Sequence, residues 1–346
     1  MILETEKRVL VFVNDHPRQS SKEIYDGLKQ QIGYATVKRV LRELISEGLI
    51  ITEGNGKATK YAISSSYELL YPVDVEAYFE KEQDEREIKS DFSPLLITHV
   101  LREARLFTED ELGHLRTLHA KFKVNITGLS PSEYGKEMER LAIDLSWKSS
   151  QIEGNTYSLL ETERLLKEKE TAAGKPKDDA TMLLNHKEAL NFIIANPDYV
   201  VPLTIRGIED IHSILVKDLG VDRNLRKRRV GISGTNYKPL DNEHQIREAL
   251  DDMCSLINNK EDVFEKSLLA LVLLSYIQAF ADGNKRTARI VSNAVLIAEG
   301  YCPISFRTVD SIAYKKAMLI FYEQNNISAF KEIFINQYDF AVNTYF

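Results

Sequence analysis

The sequence predicts a mainly α-helical protein: a helical core carrying a short β-hairpin, preceded by a small domain of three helices and a hairpin. Three observations predict it. Ser267 to Ile277 (SLLALVLLSYI) is almost wholly apolar and long enough for a buried helix. Thr287 to Glu299 (TARIVSNAVLIAE) repeats apolar residues at helical spacing and stops at Gly300, a usual helix end. The chain has 346 residues, 43% of them hydrophobic, enough for two or three domains around a sizeable core.

The first domain spans residues 1–65. Val9, Leu10 and Phe12 form the apolar face of a helix ending near His16-Pro17. Ser20-Ser21-Lys22-Glu23 reads as a capping box opening a second helix to Leu28. After the turn at Gly33, a third helix runs from Tyr34 to Glu47-Gly48. Leu49–Thr52 and Lys60–Ile63 then read as strands around Gly54-Asn55-Gly56-Lys57, a hairpin signal. Three helices and a hairpin in this order resemble a winged helix-turn-helix. The resemblance puts Thr36, Lys38, Arg39 and Arg42 against the major groove and phosphates of double-stranded DNA, with Lys57 and Lys60 on the wing. One copy gives weak binding, so a homodimer on paired half-sites is expected. The alternative is a domain that docks protein or dimerises, its basic residues merely solvated.

Residues 66–135 read as a helical connector. Tyr67 to Ser93 is charge-dense and is expected to form a connecting helix that lays Tyr71, Tyr78, Phe79 and Phe92 on the core. Pro94 to Phe122 reads as helices, and His99, His114 and His119 have no partners at metal-ligand spacing. The core, 136–346, opens with a helix over about 138–154 whose Ser149 and Glu153, four apart, share one face. Glu161 to Asp179 reads as a charged surface crossing, and Asn185 to Ile194 as a helix. Thr204 caps the next helix, which carries Ile208, Ile211, Ile214 and Leu215 inward with His212 as a hydrogen-bonded core histidine. Arg223, Arg226, Lys227, Arg228 and Arg229 form the densest basic cluster, open to phosphate, an acidic partner or water. A further helix spans His244 to Leu256, and two aromatic-rich helices fill Val309 to Phe346.

Charge and cysteine content narrow the partners. A net charge of −7 and a pI near 5.7 argue against a protein wholly devoted to nucleic acid. Residues 1–62 nevertheless hold ten Lys/Arg against eight Asp/Glu, a balance of +2 that leaves −9 for the remainder. The two cysteines, Cys254 and Cys302, read as ordinary buried thiols of a reducing compartment. The first residues lack signal-peptide character and no apolar run can span a membrane, so a cytoplasmic protein without a membrane partner is expected.

Chemistry concentrates at 278–289, Gln-Ala-Phe-Ala-Asp-Gly-Asn-Lys-Arg-Thr-Ala-Arg, a short loop ending at a helix N-terminus. Such an end offers free N–H groups and a positive dipole to phosphate. Gly283 permits close approach of the backbone, Arg286 and Arg289 lie one turn apart, and Asp282 is an oxygen ligand for phosphate-bound Mg²⁺. The stretch closely resembles the Fic (Fido) signature His-x-Phe-x-(Asp/Glu)-Gly-Asn-(Gly/Lys)-Arg-x-x-Arg. Seven of its eight constrained positions match: Phe280, Asp282, Gly283, Asn284, Lys285, Arg286 and Arg289. The eighth, the family's catalytic histidine, is Gln278.

The resemblance implies a Fido core that binds ATP and Mg²⁺ and, in active members, moves AMP onto a hydroxyl of a target protein. Ser149, Glu153 and Gly154 resemble the family's inhibitory motif, whose glutamate pairs with the arginine here numbered 289 and blocks the γ-phosphate seat. Residues 228–240 resemble the hairpin flap, through Gly231, Ile232, Ser233, Gly234 and Tyr237, implying a target segment paired edge-on. A glutamine amide is essentially non-basic, so Gln278 keeps a hydrogen-bonding group but loses the general base. Such a loss costs on the order of 10² to 10⁴ in rate. The expected function is a nucleotide-binding, catalytically impaired Fic protein acting as a DNA-binding transcriptional regulator. The alternatives are a protein adenylyltransferase auto-inhibited by Glu153, and a protein-docking module.

Overall fold

The computed structural model describes residues 4–28 and 32–346; the side chain of Lys57, expected on the wing, lies outside the described residues. At the amino-terminal side, α1 (Glu4–Asp15), α2 (Ser21–Gly27) and α3 (Tyr34–Ser46) precede β1 (Ile50–Glu53) and β2 (Lys60–Ile63). The strands are antiparallel, with Ile50 opposite Ile63 and Glu53 opposite Lys60. The expected capping box is formed: Ser20 Oγ accepts from Glu23 N at 3.3 Å, and Glu23 Oε2 accepts from Ser20 N at 2.7 Å. Gly54 turns the hairpin at φ +77°, where a Cβ would meet the Ala58 carbonyl oxygen at 2.8 Å. Val9, Val13, Ile24, Val37, Val40 and Leu44 are fully buried, so the order of helices encloses its own apolar centre.

The connecting helix expected over 67–93 does not form. Only α4 (Tyr67–Leu70), α5 (Val75–Tyr78) and a short 3₁₀ turn are helical there. Pro72 breaks the run, and the segment's polar groups are satisfied by distant partners instead of by its own backbone. Leu69 O accepts from Ile327 N at 2.8 Å, and Glu323 O accepts from Lys89 N at 2.7 Å. The aromatic packing holds, since Phe92 stacks on Tyr276 at 4.9 Å. A π-turn, Leu96–Val100, runs into the single turn α6 (Leu101–Glu103).

The core follows as α7 (Glu109–Thr127), α8 (Pro131–Ile152), α9 (Leu159–Glu168), α10 (Lys177–Ala195), α11 (Ile205–Leu215) and α12 (Glu243–Asn259). It ends with α13 (Val263–Ile277), α14 (Asn284–Ala298), α15 (Ser311–Gln324) and α16 (Ser328–Tyr345). Thr108, Ser130 and Ser158 each open their helix with a capping box. The charged stretch after Glu161 is a surface crossing only in its second half: α9 buries Thr162, Leu165 and Leu166, residues 167–178 are largely exposed, and α10 begins at Lys177 instead of Asn185. Every residue of α13 from Ser267 to Ile277 is buried, which is why its sequence shows no polar face. It packs along α14, tied by Ser267 Oγ to Ser292 Oγ at 2.8 Å. No described helix is long and apolar enough to cross a membrane.

His212 of α11 is the core histidine that the spacing predicts. Its ring lies flat on Phe280, centroids 3.6 Å apart. Nε2 faces the Asp222 carbonyl at 3.4 Å, which can only accept, so Nε2 carries the proton and Nδ1 accepts from Thr287 Oγ1 at 3.2 Å. Burial, with Arg286 adding to it, pushes the imidazole down from 6.5 to about 4. The neutral form is therefore favoured on folding, and stability is retained above pH 6.5 and lost as pH falls from 6.5 towards 4. The loss is expected to reach about 3 kcal/mol, and denaturant titration of His212→Gln should show a flatter pH profile over that window. Leu271→Ala should lower unfolding free energy by about 2 to 5 kcal/mol in the same assay, because α13 has no solvent side onto which the cavity can collapse.

Candidate functional site

Two left-handed residues shape the loop between α13 and α14. Gln278 closes α13 at φ 53°, and Gly283 precedes α14 at φ 78°. At Gly283 an added Cβ would sit 3.2 Å from Val216 and 3.3 Å from the His212 ring, so conformation and space both call for glycine. Asn284 staples the loop: its Oδ1 accepts from Phe280 N at 2.8 Å, and its Nδ2 donates to Phe280 O at 2.8 Å and Gln278 Oε1 at 3.1 Å. Gln278 Nε2 donates to Ser275 O at 2.6 Å and lies 3.5 Å from the Tyr322 hydroxyl. The Gln278 amide is thus oriented by the protein itself, at the mouth of the loop.

Above the loop lies a cavity of about 540 Å³, bounded by the motif, the segment Val230–Gly234 and one face of α15. Gln278, Asp282, Gly283, Asn284, Lys285 and Arg286 all line it, so the structure brings most of the predicted motif residues to one space. Phe280 and Arg289 do not line it: the Phe280 ring is buried behind the loop against His212, and Arg289 is fully buried one turn further along α14. Arg286 and Arg289 are almost completely buried, and Arg286 Nε and Arg289 Nη1 have no protein partner. Buried, unpaired guanidinium donors beside a helix N-terminus fit an anion with several oxygens. Asp282 accepts from Arg286 Nη2 at 3.2 Å yet keeps 67% of its side chain exposed. No group of three metal-ligating side chains occurs among the described residues. Asp282 alone fits Mg²⁺ only when phosphate oxygens supply further ligands.

Glu153 caps α8 beside the same cavity. Its Oε1 accepts from Arg289 Nη2 at 2.8 Å and its Oε2 from Lys285 Nζ at 3.3 Å. Ser149 completes the grip: its Oγ accepts from Arg289 Nε at 2.8 Å and its carbonyl from Nη2 at 2.9 Å. Burial works against ionisation of Glu153, but Arg289 and Lys285 outweigh it and hold the carboxyl below its usual range. Gly154 follows at φ 100° and ends the helix.

The segment 228–240 departs from expectation. No hairpin ladder joins its limbs; it is an open loop with a turn at Ser233-Gly234. The reason is Arg226, whose guanidinium enters between the limbs and donates to Arg228 O at 2.9 Å and to Leu240 O. The same side chain donates to Gln278 O at 2.5 Å, tying the loop to the motif. Lys238 pairs outward, in a parallel bridge with Asp91. Gly231, Ile232, Ser233 and Gly234 line the cavity. Tyr237 does not; it is a buried anchor whose hydroxyl donates to Tyr276 O at 3.1 Å. Arg226 therefore leaves the solvated basic cluster, and nothing in its run of basic neighbours singles it out. Tyr314, Lys315, Met318, Leu319 and Tyr322 of α15 also line the cavity. In sequence these residues belong only to an aromatic-rich helix, since spacing cannot tell a cavity wall from a packed one.

At the amino-terminal domain, Lys38, Arg39 and Arg42 are exposed on α3 and Thr36 is half-buried. Several of these groups are paired at home. Arg39 Nη1 reaches both Glu43 oxygens at 2.6 and 2.8 Å, and Lys60 Nζ meets Glu23 at 2.7 Å. Lys38 Nζ lies 4.9 Å from the Tyr34 ring centre.

Comparison with known proteins agrees with this geometry. Residues 202–296 match the Fic/DOC family and residues 2–121 match the penicillinase repressor family. A protein adenylyltransferase Fic of Nematostella vectensis is 30% identical over 174 residues, 49% of this chain and 40% of the relative. The chain thus covers less than half the length of that protein. Among solved structures, Fic-1 of C. elegans (residues 134–508) aligns with a TM-score of 0.60 at 19% identity, over 68% of this chain and 72% of that one. A Fic-domain signalling protein of Bacteroides thetaiotaomicron aligns at 0.56 and 21% identity, over 67% and 93%. These structural likenesses concern the fold. From the motif loop, its helical frame and the matched segments, the chain contains a Fic/DOC domain over residues 202–296 and a repressor-type winged-helix domain on its amino-terminal side.

Proposed function

We propose that this chain is a nucleotide-binding regulator whose Fic domain holds ATP with Mg²⁺, transfers AMP poorly or not at all, and biases DNA binding by the winged-helix domain. The observation that carries the reading is the pairing of an anion cradle with a non-basic group at its mouth. Arg286, Lys285 and the α14 N-terminus offer donors to phosphate in the cavity, with Arg289 behind them on Glu153, while the Gln278 amide occupies the place of the family's histidine. No imidazole lines the cavity; His212 sits behind Phe280 with both ring nitrogens engaged. Glu153, seated on Arg289 and Lys285, competes with phosphate oxygens for those donors. The residues fit the nucleotide as donors and the metal only through it: ATP would supply the phosphate charge, and Asp282 would face the Mg²⁺ it carries.

A second reading, protein adenylyl transfer held back by Glu153, is favoured by the name of the relatives this chain matches. Labelling separates the two. With labelled ATP and Mg²⁺, the unaltered chain is expected to label neither itself nor other proteins, whereas Gln278→His combined with Glu153→Gly should gain label by on the order of 10²-fold. Brisk labelling by the unaltered chain would leave the transferase reading standing. Calorimetry should find ATP bound roughly tenfold more tightly by Glu153→Gly than by the unaltered chain, and roughly 10- to 100-fold more weakly by Arg286→Ala.

The DNA half of the proposal rests on the winged-helix domain and the exposed cations of α3. A homodimer on paired half-sites is the form in which so modest a basic surface would bind. Lys38→Ala and Arg42→Ala should weaken capture of mixed-sequence duplex DNA to a similar extent for all sequences, read by gel shift. A chain that captures no duplex at low salt would refute that half.

A further inference from the structure

The cavity wall formed by the flap loop is gripped by the segment that leads out of the amino-terminal domain. Arg86, almost fully buried, forks onto Glu323 of α15, with Nε to Oε2 and Nη2 to Oε1 both at 3.0 Å. The same Nη2 donates at 2.5 Å to the carbonyl of Gly234, the turn residue of the flap. Asn236 is held from two sides: it accepts from Gln83 Nε2 at 2.7 Å and donates to Asp84 Oδ1 at 2.8 Å. Lys238 N donates to Ser90 O at 2.7 Å. Behind this grip the segment is anchored to the helical core. Tyr78 donates to Glu323 at 2.6 Å, and Asn326 Nδ2 donates to the carbonyls of Glu68 and Tyr71, both at 2.7 Å. Tyr67 itself starts only four residues after β2 ends at Ile63.

A loop without a ladder of its own is ordered only by contacts made from outside. We propose that residues 83–91 are a clamp that sets the flap, and that Arg86 is a positioning residue for the cavity, acting through Gly234. The role in ligand binding rests on the nucleotide reading above. Held by the clamp, the wall of Gly231–Gly234 is already in place for a ligand; released, it must be ordered at the moment of binding, which weakens affinity. Linkage is reciprocal, so a ligand that favours the set wall also tightens the clamp. Residues 64–82, anchored to the core by Tyr78 and by the carbonyls of Glu68 and Tyr71, join the clamp to β2, which makes this stretch the covalent connection between the cavity wall and the winged-helix domain.

Two variants test this without emptying the core. Arg86→Lys keeps a cation beside buried Glu323, but one ammonium lacks the fork that also reaches Gly234. Asn236→Ala cuts the grip from the flap side. In the nucleotide-free full chain, hydrogen exchange at the Tyr237 and Lys238 amides, which donate to Thr235 Oγ1 and Ser90 O, should quicken roughly tenfold in each variant while α13 stays protected. Unchanged exchange at those amides in both variants overturns the clamp, whatever the nucleotide result. Calorimetry with ATP and Mg²⁺ should show roughly tenfold weaker binding in each variant, and the double variant should lose less than the sum. Faster exchange with unaltered ATP affinity overturns the positioning role of Arg86. If neither the unaltered chain nor Glu153→Gly binds ATP, the nucleotide reading falls and Arg86's role with it, while exchange still decides the clamp.

Discussion

A guanidinium with no contact to solvent, that of Arg289, constrains the arrangement of the core. A charge taken from water costs several kcal/mol, roughly, unless its hydrogen bonds are met and a counter-charge lies close. Here α8 meets the requirement with Ser149 and Glu153, and α15 adds the face of Tyr314 at 5.3 Å. The packing of α8, α14 and α15 around one another is therefore also an electrostatic solution. Its Nη1 finds no hydrogen-bond acceptor among the described residues, so this corner of the core is held by charge and by the Tyr314 ring as well as by hydrogen bonds.

Much of this was legible in the chain itself. The apolar run of α13, the helix read over Thr287 to Glu299, the cap at Thr204 and the capping box at Ser20 all follow from local chemistry, and the structure reproduces them, with that helix starting a turn earlier at Asn284. The paired Ser149 and Glu153 were readable because spacing on a helix fixes their common face. What escaped reading depends on partners far along the chain. Val230 to Gly234 looks like a hairpin limb, but Arg226 ties the two ends of the loop together at Arg228 O and Leu240 O, and Lys238 finds Ser90 instead. Tyr67 to Ser93 has the composition of a helix, yet its groups are drawn out onto α15 and α16. In α9 a dense charge pattern conceals the inward face made by Thr162, Leu165 and Leu166.

Gln278 shows how a loop can keep its shape while its chemistry changes. Its left-handed backbone, its carbonyl bond to Arg226 and its amide bonds to Ser275 and Asn284 are all structural. The amide completes the network that Asn284 organises, so the mouth of the loop is ordered before any ligand binds. What it does not supply is a proton acceptor of useful strength.

The cations of the winged-helix domain carry a different consequence. Arg39 already holds Glu43, and Lys60 already holds Glu23, on the surface a polyanion would approach. Engaging a phosphate there is an exchange of partners: each carboxylate set free stands near like charge and draws a cation from solution. Ion uptake at the protein then offsets ion release from the duplex, so affinity should vary with ionic strength less steeply than the number of phosphate contacts implies. Were the domain to bind duplex as proposed, with its electrostatic gain so reduced, it would rely more on base-edge complementarity, a trait that favours discrimination over grip.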